Sequence, residues 1–360
     1  MNTNYTSESS SGTYGSKSAK IEIIQSIAHN QEIHRARYNP HNPNIIATKS
    51  PNPEVYIFDR SKHSSTPDDI NKSSPDLVLN GHTDGGYAVA WNTIIQNQLV
   101  SGSDDTLCCT YDINAGTKKG QSIDPLAVYK SHTNIVNDVQ YHTHHAHLFG
   151  SVSDDCMLMI WDTRSSTRNK SLHSFKAHEQ EINCLSFNPF NEYLLCTGSA
   201  DHTINLYDTR KFPQPIHTLL GHTDQVFRVE WSPFSSDILM SSSADRRIHI
   251  YDINQIGVEQ SEEEAADGPS ELIFVHGGHT DKLADISWNA SESEEYTICS
   301  VADDNILQIW RPAAEAMGFD DEEDENGVND NDYSDSNVEE IQPRKKKSKV
   351  AFAEEEKVMD

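Results

Sequence analysis

Apolar positions come in short bursts along this chain. From residue 20 onward, alternating or continuous hydrophobic runs are separated by turn formers, the pattern of successive β-strands. One stretch shows the rhythm well. Leu172-His173-Ser174-Phe175 reads as a strand, His178 follows in a turn, and residues 182–187 form the next apolar run. Asn188-Pro189 marks a turn, residues 193–197 resume the strand pattern, Asp201 sits in a second turn, and residues 204–207 close the unit. Four short strands per unit are the prediction.

The unit repeats in register. His82, His132, His178 and His222 are each followed 23 positions later by Asp105, Asp155, Asp201 and Asp245. Seven positions further lie Asp112, Asp162, Asp208 and Asp252, each after Tyr or Trp. His279, Asp304 and Trp310-Arg311 repeat the frame with two residues inserted, and His29, Asn52 and Phe58-Asp59 hold it with Asn in place of the first Asp. Six copies of a roughly forty-residue unit with a histidine turn at one end and an aromatic-Asp pair at the other predict an all-β fold, a β-propeller with six visible repeats.

Three regions follow. Residues 1–19 are rich in Ser, Gly and Thr and lack the large aliphatics needed to offset ordering entropy, so disorder is expected there. Residues 20–313 carry the repeats. Residues 314–360 form an expected disordered tail, acidic at 320–325 and basic at 343–349, where Pro-Arg-Lys-Lys-Lys-Ser-Lys reads as a nuclear import signal. Polar stretches at 61–74, 114–125, 163–170 and 255–270 read as surface loops between strands.

Charge and chemistry narrow the function. A formal net charge of −28 makes a nucleic-acid surface a poor expectation and favours a basic protein partner. The six cysteines lie in apolar runs without metal spacing and are expected to be buried, reduced thiols. No run approaches the ~20 apolar residues of a membrane span, and a polar stretch follows Met1, so a chain of the nucleus and cytoplasm, with no membrane contact, is expected. His, Ser and Asp recur together, as in His82, Ser101 or Ser103, and Asp105. An enzyme needs one triad rather than five, so these sets are expected to staple the blades by hydrogen bonds. His142, His144, His145 and His147 fall where other units have a turn and read as an exposed loop rather than a metal site. No phosphate-binding loop, zinc motif or nucleophile elbow occurs, and neither catalytic residues nor a cofactor is expected.

Several stretches go beyond the frame. Glu32-Ile33-His34-Arg35-Ala36-Arg37-Tyr38-Asn39-Pro40, with Asn44-Ile45-Ile46-Ala47-Thr48, resembles the second blade of the histone-binding WD-repeat family, the retinoblastoma-binding or MSI-like proteins. Leu148-Phe149-Gly150-Ser151-Val152 and Ile182-Asn183-Cys184-Leu185-Ser186-Phe187-Asn188-Pro189 are similar to it as well. So is the segment 255–279, whose Asp267-Gly268-Pro269 resembles an acidic loop that the family inserts late in the ring.

This resemblance implies a seven-bladed family fold whose long N-terminal helix and first blade have no counterpart ahead of residue 20. The ring would then either be closed by residues 20–24 as an outer strand or keep sevenfold curvature with a gap. Residues 313–319 resemble the family's C-terminal helix. The resemblance also implies a groove for the first helix of histone H4, with Glu264 and Asp267 on its acidic lip and Ile273 and Phe274 on its floor. A second site on the narrow top face would hold Arg/Lys-rich tails, of histone H3 or of regulators, on Glu32, Arg35, Tyr87, Glu181, Asn183, Phe227, Lys282 and Asp303. Gly85, Asn137 and Gln225 stand where family members place acids there, and His34 where they place Asn.

The branch it most resembles is the fungal regulatory subunit of type B histone acetyltransferase. That implies a non-catalytic scaffold presenting histones H3–H4 to a catalytic acetyltransferase subunit. The alternatives are a chaperone subunit of a chromatin assembly factor or of a deacetylase or polycomb complex, and, from a different class, a WD-repeat substrate receptor of a ubiquitin ligase.

Overall fold

A computed structural model describes residues 22–312, apart from the side chains of Glu263, Glu264, Asp267 and Glu292. The expectations on residues 1–21 and 313–360, including the import signal and the C-terminal helix, lie outside the described residues.

Six β-sheets stand as blades around one axis. The first comprises β1 (Arg35–Asn39), β2 (Asn42–Lys49), β3 (Val55–Asp59) and β4 (Leu77–Leu79). The second has β5 (Val89–Trp91), β6 (Gln98–Gly102) and β7 (Leu107–Asp112), with β8 (Gln121–Ile123) leaving for the neighbouring sheet before β9 (Ala127–Lys130) completes it. The third runs β10 (Val136–Tyr141), β11 (Leu148–Ser153), β12 (Met157–Asp162) and β13 (His173–Lys176). The fourth follows with β14 (Ile182–Phe187), β15 (Leu194–Ser199), β16 (Ile204–Asp208) and β17 (Pro215–Leu219). The fifth has β18 (Val226–Trp231), β19 (Ile238–Ser243), β20 (Ile248–Asp252) and β21 (Leu272–His276); a short helix, α1 (Glu262–Asp267), interrupts the approach to β21. The sixth has β22 (Leu283–Trp288), β23 (Ile298–Ala302) and β24 (Leu307–Trp310).

Two expectations need correction. The polar stretch 114–125 is not only a loop, because β8 pairs in parallel with β4, Leu77 opposite Gln121 and Leu79 opposite Ile123. Ile123 then enters the core between the first two blades. The described part of 20–24 is not the outer strand of the sixth blade. Glu22–Ile24 have no strand structure, and the Gln25 amide instead donates to the carbonyls of Arg60, His63 and Ser64 beside the first blade.

The repeated histidines and aspartates explain the blades' internal order. His222 Nδ1 lies 2.8 Å from Asp245, and its Nε2 lies 2.7 Å from Ser241 Oγ. The same pattern joins His82 to Asp105 and Ser101, His132 to Asp155 and Ser151, His178 to Asp201 and Thr197, and His279 to Asp304 and Ser300. Each of these aspartates also accepts from backbone N–H groups on both sides of its turn, as Asp245 does from Thr223 and Arg247. Where the third strand of a blade ends in tryptophan, its indole donates to the serine, as Trp161 does to Ser151 and Trp310 to Ser300. The clamp holds the residue after each aspartate at positive φ without glycine: Thr106, Cys156, His202, Arg246 and Asn305. The second aspartate of the frame has a different task. Asp112, Asp162, Asp208 and Asp252 each accept from the N–H two residues on and so cap the turn leaving the third strand.

Neighbouring blades are stitched as well as packed. Trp91, Trp231 and Trp288 donate their indole N–H to the carbonyls of Arg37, Ser186 and Glu230, each in the preceding blade. Asn92 and Asn188 donate forward to the carbonyls of Ala146 and Ser236, and His142 does the same to Glu192. His142 is thus buried and structural, unlike the exposed His144, His145 and His147 that share its stretch. Gly198 permits close approach here, because a Cβ on it would come within 2.6 Å of Val226 Cγ1 in the next blade. Among the cysteines, Cys108, Cys109, Cys184 and Cys196 are buried free thiols, while Cys156 and Cys299 are only half-buried.

Candidate functional site

A regular irregularity builds the site. At the top of the innermost strands the antiparallel register shifts between Val136 and Asp138, Ile182 and Cys184, Val226 and Arg228, and Leu283 and Asp285. The residues skipped are Asn137, Asn183, Phe227 and Ala284. A β-bulge turns a side chain away from the sheet face it would otherwise occupy. Here the skipped residues, with His34 and Tyr87 from the first two blades, all line one cavity of ≈ 640 Å³ at the axis.

Seven of the eight residues expected on the top face line it: Glu32, Arg35, Tyr87, Asn183, Phe227, Lys282 and Asp303. Glu181 is exposed but does not line it. Of the other crown residues, His34 and Asn137 stand at top-face positions where the chain departs from the family, and Ala284 was not among the expected residues. The signal that finds them is positional, since each stands directly before the residue that reaches the axis.

Half of the crown is already engaged. Asn137 donates to the carbonyl of Ile182 and Asn183 to that of Val226, each in the next blade. The His34 ring lies 3.1 Å from the Gly86 carbonyl and stacks on Tyr87 at 4.3 Å, with 9° between the planes. What stays open to a ligand is the half-exposed Tyr87 ring, the exposed Ile33, part of the half-buried Phe227, and the exposed side chains of Glu32, Asp303 and Lys282.

The floor is ionic. Asp138 accepts from both Arg35 and Arg228, and Asp285 pairs with Arg37 at 2.8 Å and with Arg228 at 3.6 Å. These charges come from the first, third, fifth and sixth blades and meet across the axis. Burial pushes the Arg35 guanidinium down, against the pull of Asp138. Burial pushes Asp285 up, but Arg37 and Arg228 outweigh it and hold the carboxyl at about 2. Arg35 is therefore committed to Asp138 and forms the cavity's base. On the other side of these ion pairs a second cavity of ≈ 340 Å³ is lined in part by Tyr38, Trp91, Tyr141 and Glu230.

The expected histone H4 groove lies elsewhere, at the outer edge of the fifth blade. Ile273 and Phe274 sit on β21, half-buried, and pack against the core shared by the fifth and sixth blades. The Phe274 ring stacks on Trp310 at 5.8 Å between centroids. Glu264 and Asp267 belong to α1, but their side chains lie outside the described residues. The insertion is fastened at its base, where Ser270 Oγ donates to the Gln255 carbonyl at 2.6 Å. The two expected sites are thus separate surfaces.

Among the described residues, one group has converging metal-ligand atoms: His222, Asp245 and His249. The His249 ring lies parallel over His222 at 3.8 Å, 6° apart. Stacked rings hold their nitrogen lone pairs in parallel planes, which do not meet at a common point, and His222 already uses both nitrogens on Asp245 and Ser241. The group reads as part of the blade's staple.

Three segments match the family described as WD domain, G-beta repeat, at residues 123–162, 169–208 and 213–252. Each match ends on the aspartate that caps the third strand. The matched repeats and the six-bladed propeller together support a place among WD-repeat proteins, whose propellers are typically non-catalytic scaffolds for other proteins.

Proposed function

We propose that this chain is a non-catalytic scaffold that binds histones H3 and H4, acting as regulatory subunit of a type B histone acetyltransferase complex in the nucleus and cytoplasm. The observation that carries the reading is the axial cavity. It combines an exposed aromatic ring, Tyr87, and a second ring edge, Phe227, with the rim carboxylates Glu32 and Asp303. Arginine or lysine side chains would lay their alkyl stems on the rings and their charges on the carboxylates. The acidic insertion beside Phe274 supports a second contact of the same kind, an amphipathic basic helix with an apolar face. The formal charge of −28 would steer such partners in.

Calorimetric titration of the full chain with a histone H3 tail peptide and with a peptide of the first H4 helix tests both surfaces. Asp303→Lys should weaken the H3 peptide and leave the H4 peptide unchanged, whereas Phe274→Ala and Asp267→Lys should do the reverse. Loss of the Phe274 anchor is expected to cost about 2 kcal/mol. If neither peptide responds to its own variants, the histone reading is wrong. Copurification with an acetyltransferase subunit, rather than with assembly-factor or deacetylase subunits, decides the complex.

A further inference from the structure

Among the described residues serine or threonine stands before proline at Ser50, Thr66, Ser74 and Ser232, and the fold treats these positions differently. Ser50 is 1% exposed and its Oγ accepts from the N–H of Asn52; Ser232 is fully buried and its Oγ accepts from the N–H of Phe234. Both hydroxyls are used up in turns. Thr66 and Ser74 are exposed, and both lie in the connection between β3 and β4. A residue before proline is held extended, and residues 72–75 accordingly have neither helix, strand nor turn. Among the described residues the Ser74 hydroxyl, N–H and carbonyl make no hydrogen bond. The chain is fastened on either side of it instead. The N–H of Ser73 donates to Asn30 Oδ1 at 2.8 Å, and that of Asp76 to the Ile57 carbonyl at 2.8 Å.

Ser74 also lines a cavity of ≈ 510 Å³ beside the first blade, together with Lys62, Lys72 and Lys119. Lys62 is paired with Asp59 at 3.1 Å, whereas Lys72 and Lys119 are exposed and have no carboxylate partner among the described residues. Lys119 is brought there by its neighbour, since the N–H of Gly120 donates to the carbonyl of Asp76 at 2.7 Å. Asp68 and Asp69 line the same cavity, but Asp69 is taken up by its own loop, where it accepts from the N–H of Asn71 at 2.9 Å. In a chain of net charge −28, two unpaired ammonium groups share a cavity with a serine hydroxyl that the fold does not use.

We propose that Ser74 is a phosphorylation site for a proline-directed protein kinase, and that Lys72 and Lys119 hold the phosphate it acquires. The Ser74 Oγ attacks the γ-phosphorus of a nucleoside triphosphate carried by the kinase. The new O–P bond forms as the bond from that phosphorus to the bridging oxygen breaks, the nucleoside diphosphate leaves, and the hydroxyl proton passes to a base of the kinase. The phosphate brings nearly two negative charges and three acceptor oxygens to the two lysines. It thereby ties the connection before β4 to the turn at 118–120 before β8, and so fastens the pairing of those two strands between the first and second blades. Thr66 is the poorer acceptor. It does not line the cavity, and Asp68 and Asp69 follow it closely enough to repel a phosphate.

The test treats the full chain with a mitogen-activated, proline-directed kinase and magnesium ATP, with a peptide of residues 68–80 as control for the kinase. Fragment mass spectrometry should find phosphate on Ser74, and Ser74→Ala should remove it. The phosphorylated chain should melt about 2 °C or more above the untreated one. The double variant Lys72→Ala, Lys119→Ala should still be phosphorylated but should lose that rise; both side chains are exposed, so its unmodified form should melt as wild type does. Modification of the peptide but not of the folded chain would overturn the proposal, as would phosphate on Thr66 alone. A phosphorylated Ser74 that leaves melting unchanged, or a rise that the double variant keeps, would overturn the role of the lysines. Inorganic phosphate that raises the melting of the Ser74→Ala chain equally would make the cavity a site for free anions instead. Modification of Ser74 only after removal of residues 1–21 would assign the cavity to the start of the chain.

Discussion

Replacing Asp245 by Asn removes one charge from a repeated staple and changes little else in shape. In the native blade the Asp245 carboxylate accepts from His222 Nδ1 at 2.8 Å, from the N–H of Arg247 at 2.9 Å and from the N–H of Thr223 at 3.0 Å. Burial pushes its pKa up, but His222 and these backbone donors prevail and hold it at about 2, against 3.8 for a free side chain. A depressed carboxyl contributes stability that is fully present above its unfolded pKa and is lost as pH falls through the folded one. The difference is worth roughly 2–3 kcal/mol at neutral pH. Asn can still accept through its amide oxygen, but without the charge, so a loss of about that size is expected. In a domain of this length it lowers the melting temperature by roughly 4–8 °C. Thermal unfolding followed by circular dichroism at pH 7 and again between pH 4 and pH 2 is the assay. The gap between wild type and variant should be full at pH 7 and should close as pH falls through that window. A variant within about 0.5 kcal/mol of wild type at pH 7, or a gap that persists undiminished at the acid end, would refute the account of the repeated aspartates as charged staples.

Two further perturbations test the ring's interior. Asp138→Ala leaves Arg35 and Arg228 facing each other across the axis without their shared carboxylate and should destabilise by about 3–5 kcal/mol, read by urea unfolding. Lys49, fully buried between the first two blades, donates to the Pro53 carbonyl at 2.8 Å, and burial lowers its pKa to about 8. The charged form therefore destabilises the fold below pH 8, a penalty that fades as pH rises toward 10.5. Lys49→Met should stabilise by about 2 kcal/mol at pH 7 after the lost hydrogen bond is counted, and the gain should shrink in unfolding measured at pH 10.

The frame of His and Asp was enough to read the blades, because each strand-turn-strand unit is repeated and a local accident cannot imitate six copies. The staples were readable for the same reason. What failed was whatever depends on register or on a partner. Nothing in Gln121-Ser122-Ile123 announces a strand, since three residues show no alternation, and only the edge of β4 makes them one. Residues 20–24 look apolar enough to be the sixth blade's outer strand, yet Gln25 finds three carbonyls beside the first blade and the described part runs there instead. Four of the six crown residues rest on a register shift of one residue, which leaves no trace in composition or periodicity. The top-face residues came from family resemblance, and the bulges give the physical reason that Asn183 and Phe227 among them reach the cavity.

Repetition also separates positions that must be filled identically from positions that are free to differ. The staple keeps His and Asp in five blades because each buried polar group needs its partner, so those sites carry little information about function. The crown, one residue earlier than the axial strand residue in each blade, reads His34, Tyr87, Asn137, Asn183, Phe227 and Ala284, with no two neighbours alike except the asparagine pair. A stitch to the next blade constrains His34 and the two asparagines. Tyr87, Phe227 and Ala284 are under no such demand from a next-blade hydrogen bond, and two of those three are aromatic rings turned into an aqueous cavity, where folding alone gives them little reason to be. Burial would reward such rings in a core, as it does Tyr129 and Phe149. At the mouth of the axis His34 covers one face of Tyr87 and Phe227 is half-buried, and the rest of their apolar area is gained back when a ligand covers it. Selection of specificity is therefore to be sought in Tyr87 and Phe227 rather than in the conspicuous histidines.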